Sequence, residues 1–517
     1  MKSRDKKSFM QRKNLLALLG GLCFSLPFLC EYLFPFTLVG AALLEMSLYC
    51  EGRIKKPFLR TFLFGLFFYM PLYYWFIALY PFDAFGFSMT QGFFVVGAAC
   101  IGISTYHSLI FAACISLITY AADKAGAGKA FAPMYLAVAF MADEWLISIG
   151  PLGFAWGKTA IAQIGFLPAV QTSSLFGSYF VTFIAVASGA FLGACALYKD
   201  KRRLLAVLAG TIYGINALVG TVLYFLPENT EKSYEVAIAQ GNVLSNEKWE
   251  DKGETSKSRY LSLINTICED GAPDLIVLPE SAFPFVFNKN KQLIADLSEI
   301  AAEHDVTIAS GVIISEGKKN YNALITISPD GTLSEPYCKR HLVPFGEYVP
   351  KLFENMSIVE SLNLGDFQNT AGTDSALITL DGETSLGGLV CFDSIFSSLA
   401  RESVSNGAEL LVVVTNDSWY EDTRGVYQHA AFSRLRAIEN GRYVVRAANT
   451  GISMLIDTKG CVIDSLGALE MGTLEGTVYT VSSLTLFTYI GDCALVIIPL
   501  LIVISHIIYI IKLRKNK

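Results

Sequence analysis

The chain alternates between long apolar stretches and one long polar region. Apolar stretches of roughly 17 to 25 residues follow one another from about 14 to 226, and another lies near the C-terminal end. A helix needs about 20 apolar residues to cross a hydrocarbon core about 30 Å thick. The pattern therefore predicts seven membrane spans followed by a polar region and an eighth span, near 14–30, 34–50, 58–79, 90–121, 130–149, 172–198, 204–225 and 484–511.

The overall composition agrees with a membrane protein. Of the 517 residues, 53% are hydrophobic and 17% are charged, with a mean hydropathy of +0.45. Soluble domains typically carry about 25% charged residues. The net charge of −6 and the lack of a basic stripe in the polar region exclude nucleic acid as an expected partner.

Basic residues alternate between the connections of these spans. Lysine and arginine in short loops stay on the cytoplasmic side. They occur at the N-terminus, in every second connection and in the tail, at Lys2–Lys13, Arg53–Arg60, Lys124–Lys129, Lys199–Arg203 and Lys512–Lys517. We therefore expect both termini in the cytoplasm and the polar region on the far side, which in a bacterium is the periplasm or the cell exterior.

A signal peptide is the competing interpretation of residues 1–30, because a basic start and an apolar run are common to both. No small-residue cleavage site follows this run, and Leu29 before Cys30 is too large for lipoprotein-type cleavage. The sequence favours a retained first span.

The polar region, 227–483, has the pattern of an α/β layered domain. Short β-type runs alternate with helical patterns. The predicted strands are 234–240, 275–278, 306–314, 323–327, 386–390, 410–414, 443–447 and 453–457, and the predicted helices are 256–269, 291–304, 394–406 and 428–440. The domain's cysteines lack CxxC or Cys/His spacing, so we predict neither a zinc site nor a disulfide framework.

Three residues of this domain are candidates for catalysis. Cys391 stands where an apolar strand is expected to give way to a helix, whose first N–H groups lower a thiol pKa. Glu280 ends the run Asp274–Glu280 directly after Pro279, where partial burial would raise the carboxyl pKa towards that of a general base. Lys339 lies in a polar run held by Pro344 and Gly346, where an ammonium could stabilise an oxyanion.

Each of these residues alone has an ordinary alternative role. Cys391 suits a buried structural thiol, Glu280 a helix cap or surface acid, and Lys339 a solvated basic loop. Their order, with Lys339 about 60 residues after Glu280 and Cys391 about 50 residues further, is much more specific.

This combination resembles the nitrilase (carbon-nitrogen hydrolase) superfamily, whose members use Glu, Lys and Cys on an αββα sandwich. Within it, the chain is similar to the membrane-embedded apolipoprotein N-acyltransferase family over nearly its whole length. Besides the three residues, the matching blocks are Ala239–Asn242 with Trp249, Tyr321–Ala323, Lys339–Pro350, Asn416–Trp419 and Arg446–Gly451.

The resemblance implies a role for each matching residue. Cys391 is expected to be the nucleophile, Glu280 its base and Lys339 the partner of the thiolate and oxyanion. The resemblance makes Glu347 a second functional glutamate and Trp249 an aromatic of the substrate cleft, and we expect Asn322 and Asn416 to order the site. Where the family commonly has Tyr and Glu after the cysteine, this chain has Phe392 and Asp393, which leaves any role of those two groups in doubt.

The implied reaction is an acyl transfer in two halves. Cys391 takes an acyl chain from a membrane phospholipid, and the α-amine of a diacylglyceryl-modified N-terminal cysteine on an apolipoprotein then accepts it. No metal, nucleotide or other cofactor is implied. The expected location is the bacterial inner membrane, with the catalytic domain on the periplasmic side.

Two other classes of function remain open from the sequence. A membrane-tethered amidase would keep Glu280, Lys339 and Cys391 but admit water to the thioester. A transporter or receptor predicts charged residues within the spans, and the nearest we find are Asp143 and Glu144 at the end of a span. Residues 351–364 are expected to form an apolar-faced arm, either dipping into the bilayer or packing on its own domain.

Overall fold

The computed structural model of the chain describes residues 3–50, 53–81, 87–244, 247–251, 253–269, 271–351, 353–355 and 368–515. The chain divides into two compact units. One comprises Met1–Pro81, Met89–Leu226 and Ile490–Lys517, and the other includes Pro227–Tyr489. Each unit is described by itself.

The first unit is built from apolar helices. They are α1 (Ser3–Leu29), α2 (Phe36–Leu48), α3 (Pro57–Leu72), α4 (Met89–Lys124), α5 (Gly128–Leu146), α6 (Leu167–Val170), α7 (Ser173–Phe176), α8 (Ser178–Leu197), α9 (Arg202–Phe225) and, after the second unit, α16 (Ala494–Lys515). A short antiparallel pair, β1 (Tyr49–Cys50) and β2 (Arg53–Ile54), follows α2. Among the described residues, four helical segments are long and apolar enough to cross a membrane, namely α4, α8, Lys199–Phe225, which contains α9, and α16.

Charged side chains are buried within this unit, which the sequence pattern did not lead us to expect. Glu45 is fully buried on α2, well inside the predicted second span. Asp143 and Glu144 on α5 are 2% and 3% exposed. Glu144 is held by neutral donors, since it accepts hydrogen bonds from the backbone and hydroxyl of Thr159 at 2.8 and 2.6 Å and from the hydroxyl of Thr182 at 2.9 Å.

The second unit contains two six-stranded sheets. Its strands are β3 (Ser233–Gln240), β4 (Leu275–Leu278), β5 (Thr307–Glu316), β6 (Lys319–Ile327), β7 (Tyr337–Cys338), β8 (Leu377–Thr379), β9 (Ser385–Val390), β10 (Leu410–Thr415), β11 (Val444–Ala448), β12 (Ser453–Ile456), β13 (Val462–Leu466) and β14 (Gly472–Tyr479). The first sheet has the order β14-β3-β4-β5-β6-β7 and the second the order β13-β12-β11-β10-β9-β8. The central strands β3, β4 and β5 are parallel, as are β9, β10 and β11.

Alternation along the strands assigns each residue to one of two cores. On β3, Val236 and Ile238 belong to the core that joins the two sheets, whereas Ala237 and Ala239 face a second core. That second core also contains residues of α11 (Glu254–Glu269) and α12 (Lys291–His304). The second sheet packs against α13 (Ser397–Ser405) and α14 (Arg424–Asn440). The result is the αββα sandwich of the nitrilase type, as predicted.

The remaining helices of the second unit are short, and they are α10 (Glu247–Glu250) and α15 (Leu486–Ile490). Every predicted strand and helix of the domain overlaps an observed one. Strands β7, β8, β13 and β14 were not predicted. Most of the expected arm lies outside the described residues, which exclude 352 and 356–367.

Candidate functional site

Glu280, Lys339 and Cys391 each follow the end of a strand in the second unit. Glu280 comes two residues after β4, Lys339 directly after β7 and Cys391 directly after β9. Strands β4 and β7 belong to the first sheet and β9 to the second, and the loops that follow strands commonly carry functional groups. The fold thus brings together residues that are about 50 and 60 positions apart in the sequence.

Glu280 is a buried carboxylate with a full set of donors. Its Oε1 accepts hydrogen bonds from Nδ2 of Asn322 at 2.6 Å and Nζ of Lys339 at 3.3 Å, and its Oε2 accepts one from the backbone N–H of Asn416 at 2.9 Å. Gly311 on β5 permits this position, because a Cβ there would lie 2.5 Å from the Cα of Glu280.

The electrostatics of Glu280 differ from the expectation. Burial alone would raise its pKa, but the positive charge of Lys339 and the hydrogen bond from Asn322 outweigh burial, so the pKa lies below its ordinary value. The predicted upward shift is wrong for this reason. Cys391 and Glu280 are close enough for each to shift the pKa of the other, so an ionised acceptor lies near the thiol proton.

Lys339 is a buried cation between two carboxylates. It is 1% exposed, and its Nζ lies 3.3 Å from Glu280 Oε1 and 2.8 Å from Glu347 Oε2. Burial lowers the ammonium pKa, but these two carboxylates overcome it and raise the pKa well above its usual value. Its backbone N–H donates to the carbonyl of Asn322 at 2.7 Å. Lys339 is therefore a permanent positive charge in a fixed place, not a solvated loop residue.

Cys391 occupies a strained position at the start of a 3₁₀ turn, Cys391–Ile395. Its φ is +52°, in the left-handed region, where a non-glycine residue costs roughly 1 to 3 kcal/mol and often marks a functional site. The expected strand-to-helix junction is present, with α13 after the turn. The expected low thiol pKa is wrong, because burial and then the negative charge of Glu280 raise it, and Lys339 only partly offsets them.

The supporting residues predicted from the sequence cluster here as well. Glu347 is partly buried; its Oε2 accepts from the backbone N–H of Val343 at 2.8 Å and its Oε1 from Asn322 Nδ2 at 3.2 Å. Asn416 donates its backbone N–H to Glu280, and its Oδ1 accepts from Asn449 Nδ2 at 2.6 Å. Asn322 thus contacts both glutamates. Trp249 belongs to α10, but its side chain lies outside the described part of the structure.

Asp393 and Phe392 are both buried. Asp393 is fully buried and accepts hydrogen bonds from the backbone N–H of His341 at 2.8 Å and the hydroxyl of Tyr337 at 2.9 Å. Burial raises its pKa to about 6 despite these donors. Phe392 packs edge-on against Phe396 with ring centroids 5.3 Å apart. Asp393 therefore connects the turn of the cysteine to the segment that carries Lys339.

Sequence reasoning missed Lys248. This lysine is 2% exposed, and its Nζ donates to the backbone carbonyl of Glu280 at 3.4 Å. Burial lowers its pKa to about 8, and the charge of Glu280 partly opposes that shift. Its only sequence signal is its place beside Trp249, because burial of a lysine is not readable from a polar segment.

Sequence reasoning assigned no role to a polar cluster near Cys391, although two of its residues lie in the matching blocks. Asp417, His429 and Arg446 are buried, and their side chains hydrogen-bond to one another. Suitable metal-ligand atoms of Cys391, Asp417 and His429 lie within 4.8 Å of one another. However, Asp417 binds the guanidinium of Arg446 at 2.7 Å and His429 Nδ1 at 2.7 Å, so these donors already neutralise the carboxylate. The arrangement fits a hydrogen-bonded cluster better than a metal centre.

Comparison with known proteins assigns both units to families. Residues 235–482 match the carbon-nitrogen hydrolase model, and residues 20–191 match the model of the apolipoprotein N-acyltransferase N-terminal domain. An apolipoprotein N-acyltransferase of Allorhizobium ampelinum is 32% identical over 67% of this chain and 67% of its own length. The chain belongs to the apolipoprotein N-acyltransferase family.

Other members of the apolipoprotein N-acyltransferase family match over greater lengths. The relative from Geobacter metallireducens is 29% identical over 94% of this chain and 93% of its own, and that from Haemophilus influenzae is 28% identical over 79% and 81%. A solved CN-hydrolase superfamily protein from Xanthomonas campestris covers 48% of this chain and 91% of its own, with 21% identity and a TM-score of 0.36. The family predicted from the motifs is confirmed by the sequence relatives.

Proposed function

We propose that this protein transfers an acyl chain from a membrane phospholipid, through a thioester on Cys391, to the α-amine of the N-terminal diacylglyceryl-cysteine of an apolipoprotein. Its family supports lipoprotein N-acylation. The observation that carries the catalytic part of the proposal is the grouping of the partly buried Cys391 with the buried Glu280, whose pKa is lowered and which forms an ion pair with Lys339 at 3.3 Å.

In the first half-reaction, Glu280 takes the thiol proton as the sulfur of Cys391 attacks the ester carbonyl carbon. Burial keeps the thiol protonated until that moment, so a neighbouring base is required. Negative charge develops on the carbonyl oxygen, and the fixed ammonium of Lys339 stabilises it. The carbon–oxygen bond to the glycerol then breaks, and the proton on Glu280 passes to the leaving alkoxide to give a lysophospholipid.

In the second half-reaction, the neutral α-amine of the acceptor attacks the thioester carbon. An α-amino group has an ordinary pKa of about 8, so a useful fraction is neutral near pH 7. Glu280 takes the proton that the nitrogen loses, the carbon–sulfur bond breaks, and that proton returns to the thiolate of Cys391. The products are an N-acylated lipoprotein and the free enzyme, which is ping-pong chemistry.

The first unit is proposed to hold both lipid substrates at the membrane surface. Four described helical segments have the length and composition of spans. We extend this to eight spans in the bacterial inner membrane, with 227–483 as the periplasmic catalytic domain and both termini cytoplasmic. The alternating basic connections support this topology.

The test is acyl transfer to a defined acceptor. Purified protein in detergent is incubated with a phospholipid and a synthetic diacylglyceryl-cysteine peptide, and the peptide mass is followed. We expect a gain of one acyl chain at the peptide amine, and none with Cys391→Ala. Hydrolysis of small amides without peptide acylation would instead support the tethered amidase, which the acyltransferase relatives do not favour.

A further inference from the structure

The side chains of Asp417, His429 and Arg446 form a cluster that lies next to the main-chain carbonyl of Cys391. Asp417 follows β10, His429 lies on α14 and Arg446 lies on β11. All three are essentially fully buried, at 1%, 0% and 0% exposure. Three buried ionisable groups are costly to desolvate unless they are fully paired, so their presence here calls for a function.

Asp417 is the centre of the cluster. Its Oδ1 accepts hydrogen bonds from Thr415 Oγ1 at 2.8 Å and from His429 Nδ1 at 2.7 Å, and its Oδ2 accepts one from Arg446 at 2.7 Å. Burial would raise the pKa of Asp417, but Arg446 and then His429 hold it well below its usual value. An ionised carboxylate only accepts, so the hydrogen between Asp417 and His429 belongs to Nδ1.

The other ring nitrogen of His429 points to the nucleophile. Its Nε2 lies 3.2 Å from the carbonyl oxygen of Cys391 and 3.1 Å from Ser394 Oγ. That Ser394 hydroxyl donates to the same carbonyl at 2.7 Å. A carbonyl oxygen only accepts hydrogen bonds, and Nδ1 already donates to Asp417, so Nε2 binds this carbonyl only when both ring nitrogens carry a hydrogen, a form that the ionised Asp417 stabilises. Two donors can thus hold one carbonyl.

We propose that His429, oriented by Asp417 and Arg446, is a positioning residue that holds the main-chain carbonyl of Cys391 and thereby keeps the nucleophile in its left-handed conformation. The proposal rests on the proposed function of Cys391. The φ of +52° at Cys391 is unfavourable for a non-glycine residue and persists only where its surroundings impose it.

The surroundings of the cluster leave little freedom to relax. A Cβ on Gly451 would lie 2.2 Å from Asp417 Oδ2, so the backbone of the next loop packs directly on the carboxylate. The guanidinium of Arg446 is fixed further by the carbonyl of Ile452 at 3.2 Å and by Ser433 Oγ at 3.2 Å. Small displacements of a reacting group can lower rates by about 100-fold. A rigid support is therefore expected to affect rate more than binding.

Two substitutions of His429 separate its two contacts. In His429→Asn, the amide nitrogen lies where Nδ1 lies along the side chain, so this variant keeps the contact with Asp417. In His429→Gln, the amide nitrogen lies where Nε2 lies, so this variant keeps the donor to the carbonyl of Cys391. Both variants replace the ring by an amide, so they share most of the packing loss. A merely structural role predicts similar rates for the two variants.

The measurement is the single-turnover rate of thioester formation with phospholipid and no acceptor, over a range of lipid concentrations, together with the unfolding temperature. We expect His429→Gln to stay within about threefold of wild type and His429→Asn to be at least about tenfold slower at saturating lipid, with an unchanged half-saturating concentration. Equal rates at similar unfolding temperatures would overturn the inference. Without a thioester in the wild type, the proposed function itself fails.

Ser394→Ala provides a smaller second variant should both His429 variants fail to fold. It removes the other donor to the Cys391 carbonyl and leaves the ring in place. We expect it to lower the maximal rate of thioester formation without changing the half-saturating lipid concentration. A wild-type rate in Ser394→Ala would contradict the claim that this carbonyl must be held.

Discussion

The two sheets of the sandwich contribute different kinds of group to the site. The first sheet supplies Glu280 after β4, Asn322 on β6 and Lys339 after β7, which are joined by ion pairs and side-chain hydrogen bonds. The second sheet supplies Cys391 after β9, and its neighbouring groups bind the main chain of the turn. In the proposed mechanism the first sheet therefore handles protons and charge, and the second presents the nucleophile.

This division explains why the thiol does not need a low pKa of its own. The turn after β9 holds Cys391 partly buried, burial and Glu280 raise the thiol pKa, and the first sheet brings the ionised Glu280, the proposed base, close to it. Substitutions in the first sheet should change proton transfer and its pH dependence. Substitutions behind the nucleophile should change rate with little effect on pH dependence.

Loss of the base is expected to have the largest effect. Glu280→Gln keeps the shape and one hydrogen-bond acceptor but cannot take the thiol proton. General-base catalysis contributes roughly 100- to 10,000-fold, so we expect thioester formation to slow by about 1000-fold or more. The matched control is Glu383→Gln, an exposed residue paired with Lys232 on the surface. Similar rates in the two variants would contradict the assignment of the base.

Loss of the buried positive charge of Lys339 should have the next largest effect on the rate of thioester formation. Lys339→Met removes a positive charge that is expected to stabilise the oxyanion. The same charge holds the pKa of Glu280 down, so that pKa should rise in the variant. Removing one oxyanion donor typically costs about 100- to 1000-fold, which is the expected decrease in the rate of thioester formation. Lys232→Met, at an exposed position, is the control. A decrease in lipid affinity with an unchanged maximal rate would count against this role.

The second buried lysine should have a smaller, pH-dependent effect. Lys248→Met removes a positive charge near Glu280, so the pKa of Glu280 rises and the acid limb of the rate profile moves to higher pH. At neutral pH we expect at most about a tenfold loss. In the wild type the midpoint of the acid limb should lie at a pH below the ordinary pKa range of a glutamate. Lys248→Arg should largely restore this wild-type midpoint. An unmoved limb in Lys248→Met would exclude an electrostatic role.

The stability of Lys248→Met sharpens the same test. Because the folded pKa of about 8 lies below the ordinary value of 10.5, charging Lys248 opposes folding below pH 8, and this penalty disappears as the pH rises through 8 towards 10.5. The variant should therefore unfold at a higher temperature than wild type near pH 7. A lower unfolding temperature would indicate that packing of the lysine stem dominates.

The smallest effect on the rate of thioester formation is expected at Asp393, which connects the turn of Cys391 to the segment that carries Lys339. Its folded pKa of about 6 lies above the ordinary value of 3.8, so the folded state loses stability as the pH rises from about 4 to about 6, by up to about 3 kcal/mol. Asp393→Asn should remove this pH dependence and leave thioester formation at neutral pH nearly unchanged. Unfolding temperatures of both proteins from pH 4 to 7 measure the difference, and parallel profiles would contradict it.

The central strands of the domain could be predicted because they are short apolar runs rich in β-branched residues, such as Leu410–Thr415, whose residues are all buried. The edge strands could not. Strand β13 is mostly exposed, and β14 contains Gly472 and Gly476, which weaken a strand pattern, yet it pairs with β3 along eight residues. These edge strands form because a partner strand pairs with them, and the sequence of an edge strand alone does not show that partner.

The candidate catalytic residues were found because they follow strands in a specific order. The signs of two pKa shifts were wrong for a common reason. Burial of Cys391 and the proximity of Lys339 to Glu280 are properties of the folded sandwich, and the sequence separates these groups by about 50 to 60 residues. Asp417 and Arg446 lie in the matching blocks, but no role could be assigned to them or to His429, because each is an ordinary polar residue until three elements converge.

The central claim is that Cys391 carries the acyl chain. The most direct measurement incubates the purified protein with a phospholipid and no acceptor, then determines the intact mass and maps any hydroxylamine-labile adduct, with Cys391→Ala as control. We predict a gain of one acyl chain on Cys391, none on the half-buried Cys338, and none in the variant. Release of lysophospholipid with Cys391 unmodified, or an adduct that persists in Cys391→Ala, would contradict the account.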